Sequence, residues 1–395
     1  MFFRITFRKQ FFILLSLFIV GCNNPKDNGA DPNGGTGTAA TTSPGTVTTK
    51  TLDDWINGLE TALPSWAEID QLNAGYSRQA GLTYLKRVNA YSDKFGQASG
   101  IVPKHLNYWT ALKSTYGGNI SSALLASMPP YVDSSGTNLT YPLTITQIDE
   151  QLRGYAVAVL AQRKKGEPVM LEILYPPNQI NLGHPSEAAF RAWIDGAYTA
   201  EVQAEAAAAE RLGVEYFAPF PIELEVFLEN QTGFISTLTN DQKLALGQYF
   251  SDAAKAASTA FKGTLIAHLH YNYANGSNPY QNVSYAGWGL LAFSFFPNCD
   301  QATTDRYIDG QFTNYLLIAS RSAVPWVVGE LGVYDRYFTA CGNGGTALTS
   351  LEPGIYQSFL TKLDAAVPAA NGIFIDDDMR AQATKDKIIA YFAGK

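Results

Sequence analysis

Two stretches place carboxylates where a buried strand would open into a loop. In Trp326-Val327-Val328-Gly329-Glu330-Leu331-Gly332 a short apolar run reaches Glu330 between glycines. Upstream, Val214-Glu215-Tyr216-Phe217-Ala218-Pro219-Phe220-Pro221-Ile222 runs into Glu223-Leu224-Glu225. Two carboxyls at the ends of separate strands suit acid and nucleophile work on opposite sides of one bond, the arrangement that glycoside hydrolysis requires. One must begin protonated and the other ionised, so their surroundings must split their pKa values. Desolvation raises one, and a neighbouring hydrogen-bond donor lowers the other. Glu225, two residues beyond Glu223, shares its face of an extended chain and is the alternative to it.

Other side chains could serve the same cleft. His268 and His270 alternate within the predicted strand Gly263–Tyr273 and therefore face one side. A metal would need a third ligand at recognisable spacing, and none is present. A hydrogen bond to substrate or a satisfied place in the core remain for both. Tyr175, Trp288 and Tyr334 lie at or near predicted strand ends, where their rings form either a sugar platform or core packing. Asp376, Asp377 and Asp378 are a solvated loop or the lip of the last strand. Walker, GxGxxG and GxSxG patterns are absent, and no cofactor is expected.

Positioning these groups falls to a strand–helix alternation. Strands are predicted at Ile120–Met128, Pro168–Leu174, the run before Glu223, Gly263–Tyr273, Ala286–Phe296, the run before Glu330, and Gly372–Ile375. Helices are predicted at Ile145–Arg163, Ser186–Leu212 with Ser186 as N-cap, Asp241–Phe261, Thr303–Arg321, Glu352–Ala366 and Met379–Phe392. The alternation implies a parallel sheet with helices outside, an α/β fold. Seven strands are countable, and an eighth belongs before Ile120. The pattern from Leu52 to about Gln97 reads as helical, with Trp55, Leu59 and Leu63, then Tyr84, Leu85 and Val88, spaced for one face. The expected architecture is a (β/α)₈ TIM barrel over residues 51–395 with an N-terminal helical extension, in which strand ends on the C-terminal face carry the catalytic groups. The chain has 395 residues, 46% of them apolar, enough for one large core. A net charge of −7 without a basic cluster in the body argues against nucleic acid as a partner.

The motifs in order resemble glycoside hydrolase clan A, and within it family 113. They are Glu167-Pro168-Val169-Met170-Leu171-Glu172-Ile173, then Gly213-Val214-Glu215-Tyr216-Phe217 followed by Glu223-Leu224, then Pro325-Trp326-Val327-Val328-Gly329-Glu330-Leu331-Gly332-Val333-Tyr334. The resemblance spans residues 119–395 and implies a carbohydrate substrate and a retaining mechanism, with Glu223 as acid/base on strand four and Glu330 as nucleophile on strand seven. Ile222 stands before Glu223 where many clan members have Asn. That departure keeps open a second reading, a non-catalytic surface protein that binds a glycan or another partner on the same scaffold.

The first 22 residues read as a targeting segment. Arg4, Arg8 and Lys9 precede an apolar stretch from Phe11 to Val20, and Ile19-Val20-Gly21-Cys22 resembles the lipobox of bacterial lipoproteins. The resemblance implies lipidation at Cys22 and, with Asn23 following, anchoring in the outer membrane on its periplasmic or surface face. Residues 23–50, rich in Gly, Thr, Asn and Pro, read as a flexible tether. Export permits Cys299 and Cys341 to form a disulfide, because each follows a strand whose loops neighbour each other in a barrel.

Overall fold

The computed structural model describes residues 50–58, 62–79, 85–89, 114–115, 131–132, 139–140, 145–163, 168–172, 186–219, 234–269, 279–297, 301–339, 341–376 and 379–395. Nine strands lie among them: β1 (Leu85–Asn89), β2 (Tyr131–Val132), β3 (Leu139–Thr140), β4 (Met170–Glu172), β5 (Tyr216–Ala218), β6 (Thr264–Leu269), β7 (Leu290–Phe295), β8 (Trp326–Leu331) and β9 (Gly372–Asp376). β2 and β3 form a small antiparallel pair. The other seven make one parallel sheet in the order β1-β9-β8-β7-β6-β5-β4. The last strand thus lies beside the first, and the sheet curls on itself into the α/β barrel expected from the sequence. The predicted strand Ile120–Met128, which would stand between β1 and β4, falls outside the described residues.

The helices are α1 (Leu52–Gly58), α2 (Trp66–Leu72), α3 (Ile145–Arg163), α4 (Glu187–Trp193), α5 (Thr199–Leu212), α6 (Phe234–Thr237), α7 (Asn240–Ala257), α8 (Gln301–Ser322), α9 (Asp335–Thr339), α10 (Thr346–Asp364) and α11 (Gln382–Gly394). Local chemistry sets their ends. Ser186 caps α4 by accepting from Ala189 N at 3.2 Å, as its place after Pro185 predicted. Thr239 and Gln242 make a reciprocal capping box at the start of α7. Gly213 ends α5 in the left-handed region, φ 68°, where a side chain would be strained. The predicted helix Ser186–Leu212 is interrupted: α4 and α5 are joined by a π turn at Ile194–Tyr198. The hydroxyl of Thr199 donates to the carbonyl of Ile194 at the end of this turn, at 2.7 Å.

One sequence expectation is corrected. Leu85 and Val88 belong to a strand and not to a helical face, because Leu85–Asn89 pairs in register with Gly372–Asp376. A short apolar run satisfies either period, and here the partner strand nearly 300 positions away decides.

Along the strands of the seven-stranded sheet, up to a bulge in β8, side chains alternate and sort into two layers. Leu171, Phe217, Ala267, Leu269, Leu291, Phe293, Trp326, Val328 and Ile373 face outward into the main core beneath the helices. Leu85, Met170, Tyr216, Ile266, Leu290, Ala292, Val327 and Phe374 face inward and fill the barrel. Packing inside and out holds the strands rigidly, which is what a site at their ends needs.

Candidate functional site

The inward faces change character at the C-terminal ends of the strands. Two residues beyond Met170 stands Glu172, two beyond Ile266 stands His268, and two beyond Ala292 stands Ser294. All three are buried. On β8 simple alternation from Val327 would send Gly329 inward and Glu330 outward. A register shift between Val328 and Leu331 prevents this, so that Glu330 lies opposite Ser294 while Val328 lies opposite Phe293. The bulge re-aims one side chain, here turning the Glu330 carboxylate into the barrel. Gly329 makes the bulge possible, because a Cβ at that position would lie 2.6 Å from His268 Nε2 and 2.7 Å from Ala292 Cβ.

The four polar groups form one chain of contacts. Glu172 Oε1 meets His268 Nδ1 in a short hydrogen bond. His268 Nε2 lies 2.9 Å from Ser294 Oγ. Ser294 Oγ donates to Glu330 Oε2 at 3.3 Å, and Tyr334 OH donates to Glu330 Oε1 at 3.3 Å. Burial pushes the imidazole of His268 down, but the charge and hydrogen bond of Glu172, with Glu330 adding, outweigh it and raise its pKa above the ordinary 6.5. Both oxygens of Glu330 therefore face hydroxyl donors at the end of a strand, a setting that suits an anion.

Arg87 of β1 lies within the same barrel, its guanidinium 5.3 Å from the Tyr216 ring and 4.9 Å from the Phe374 ring. Beside Glu330 the rim is aromatic. Tyr334 stands 5.5 Å from Phe296 and 6.0 Å from Tyr337 between ring centroids. The Arg336 guanidinium lies 4.8 Å over both tyrosine rings.

Glu330, His268 and Tyr334 come together. Glu223, Glu225, Tyr175 and His270 lie outside the described residues, as do Cys22 and Cys299. Trp288 is placed elsewhere: it precedes β7, at the opposite end of the strand from Ser294, and is buried with its indole donating to Ser251 Oγ at 3.2 Å. It packs in the outer core and is no sugar platform. Both ring nitrogens of His268 have partners within the chain, on β4 and β7. Cys341 is exposed in the turn after α9. Among the described residues no group of three or more His, Cys, Asp or Glu is arranged to hold a metal.

Sequence reasoning missed Glu172, Ser294 and Arg87. Ser294 had a signal: in Leu290-Leu291-Ala292-Phe293-Ser294-Phe295 it is the one polar residue in an apolar strand, on the inward period. Glu172 had the same signal in Met170-Leu171-Glu172.

No family model matches the chain, and no curated protein matches it. Solved structures do. The glycoside hydrolase family 113 β-mannanase AaManA from Alicyclobacillus acidocaldarius superposes with a TM-score of 0.53 at 14% identity, covering 80% of this chain and 98% of that one. A second family 113 structure, a β-1,4-mannanase, superposes with a TM-score of 0.52 at 12% identity, covering 80% of this chain and 100% of that one. At such identities the likeness concerns the fold alone, a TIM barrel.

Proposed function

We propose that the chain is a retaining O-glycoside hydrolase acting on a poly- or oligosaccharide, with Glu330 as nucleophile and Glu223 as acid/base. The observation that carries this reading is the β8 bulge, which spends a glycine to turn one carboxylate inward at the catalytic face of the barrel and gives it two hydroxyl donors. In the first step Glu330 attacks the anomeric carbon while Glu223 gives its proton to the departing oxygen. In the second, Glu223 takes a proton from water, which releases the sugar from Glu330. The two carboxyls then belong about 5–5.5 Å apart, against about 6.5–9.5 Å for an inverting enzyme.

Cys22 would anchor the protein by lipid in the outer membrane, and a Cys299–Cys341 disulfide would tie the loops after β7 and β8. A Cys22→Ala form that stays in the membrane fraction after high-salt washing contradicts the anchor, and two free thiols in the native protein contradict the disulfide.

The fold neighbours carry mannanase names, so β-1,4-mannan heads the substrates to test, followed by β-1,4-galactan, β-glucans and a panel of aryl glycosides. The reading expects release of reducing sugar from at least one, with the anomer retained when followed by NMR. Binding without turnover on the entire panel favours the non-catalytic alternative that Ile222 keeps open.

A further inference from the structure

The serine between His268 and Glu330 has one proton and two neighbours that can take it. Its oxygen lies 2.9 Å from His268 Nε2 and 3.3 Å from Glu330 Oε2. The direction of that proton depends on the imidazole. The Glu172 carboxylate can only accept, so Nδ1 of His268 carries a hydrogen. If His268 is singly protonated, Nε2 is bare and takes the serine proton, leaving a hydroxyl lone pair turned toward Glu330. If His268 is doubly protonated, Nε2 donates to Ser294 Oγ, and the serine must turn its own proton onto Glu330. From Nε2 onward the donors then point one way, from β6 through β7 to β8.

We propose that Glu172, His268 and Ser294 are a positioning relay that holds a proton on His268 and thereby aims the Ser294 hydroxyl at Glu330, keeping that carboxylate ionised and fixed for attack. This rests on the reading of Glu330 as nucleophile. None of the three touches substrate, and each acts through the next.

Three features of the fold support the relay. Its members stand on β4, β6 and β7 of one rigid barrel, with Ser294 paired directly to Glu330 and His268 paired to Ala292 in the strand register. All are buried, so the hydrogen bonds do not compete with bulk water. Gly329 leaves room for the imidazole against the backbone of the strand that carries Glu330, which any larger residue would close. The charged groups acting on His268 are Glu172 from β4 and Glu330 from β8, and both favour the imidazolium. Tyr334 donates to the other oxygen of Glu330.

The test reads His268 directly and needs no substrate. The protein is labelled with ¹⁵N-histidine, and the four histidines are resolved with a His268→Gln variant. The relay predicts that wild-type His268 has both nitrogens protonated at pH 6.5 and titrates above that value. Glu172→Gln should move this titration to lower pH, and so should Glu330→Gln. Wild-type His268 found neutral at pH 6.5, or a titration indifferent to Glu330→Gln, overturns the proposal. The wild-type spectrum alone can do so even if a variant fails to fold. Once a glycoside is in hand, Ser294→Ala supplies a second reading: kcat should fall about tenfold more at the acid end of the profile than at pH 8, because a carboxylate stripped of a charge-assisted donor takes up its proton earlier. A uniform loss across pH contradicts the relay. If the titrations behave as predicted while no glycoside is turned over, the relay stands and the nucleophile assignment fails.

Discussion

Each end of the barrel buries a carboxylate in a polar network, and the two networks differ in what they leave over. At the N-terminal ends of the strands, Glu215 precedes β5 and accepts from Val169 N at 2.7 Å, from Gln79 N at 3.3 Å and from the Tyr76 hydroxyl. The Arg163 guanidinium lies 3.8 Å over the Tyr76 ring, and it donates to Asn73 Oδ1 at 2.9 Å and to the carbonyl of Leu212. Burial and the bond to Glu215 push Tyr76 up to about 12, so its proton stays in place across the physiological range. Glu215 thus ties the segment after α2 to β4 and β5 as an internal clamp. At the opposite ends Glu330 accepts from two side-chain hydroxyls, one from the barrel wall and one from the aromatic rim. Two backbone amides and a phenol fix a carboxylate as structure. Two rotatable hydroxyls orient one and leave it able to react.

The contrast can be broken in order of expected effect. Glu330→Gln should lower kcat on any glycoside that the wild type cleaves by roughly 10⁴–10⁶-fold, the scale on which loss of a covalent nucleophile acts. Its unfolding midpoint in urea should stay close to wild type, and near-normal turnover would remove Glu330 from the chemistry. Glu215→Ala should do the reverse. It strands two backbone amides and a phenol and should cost about 3 kcal/mol of stability, with kcat per folded molecule unchanged at low temperature. If it lost activity without losing stability, the clamp would have to be read as part of the site.

The smallest effect is one of pH. The folded pKa of His268 lies above its unfolded value of 6.5, so its contribution to stability is fully present below 6.5 and is lost as pH rises through the folded value. Chemical denaturation of wild type and His268→Gln at several pH values should show the wild-type advantage shrinking above pH 6.5. An advantage that grew with pH would contradict the charged imidazole. No such loss is expected from the Glu215 clamp, whose phenol still holds its proton there.

Both ends were only partly legible in the sequence. The Glu330 strand was readable because an apolar run that stops at glycines needs no partner to be recognised, and the helix starting after Ser186 was readable because capping is local. β1 was not, because Leu85, Arg87 and Asn89 become a strand only through pairing with β9. The inward turn of Glu330 was hidden for a related reason: alternation from Val327 predicts the wrong face, and only register against β7 and β9 reveals the bulge. Glu172 and Ser294 carried the period-two signal of polar groups inside apolar strands, yet nothing in the sequence joins them to His268. Trp288 misled because nearness to a strand does not say which end it occupies.

The central claim is that Glu330 becomes covalently bonded to sugar during turnover. Incubating the purified domain with a panel of 2-deoxy-2-fluoro glycosides bearing activated leaving groups, followed by intact-mass and peptide mass spectrometry, tests it directly. The account predicts one glycosyl adduct on the peptide containing Glu330, absent in Glu330→Gln. An adduct on another carboxylate, or turnover of a glycoside with inversion at the anomeric carbon, would contradict it.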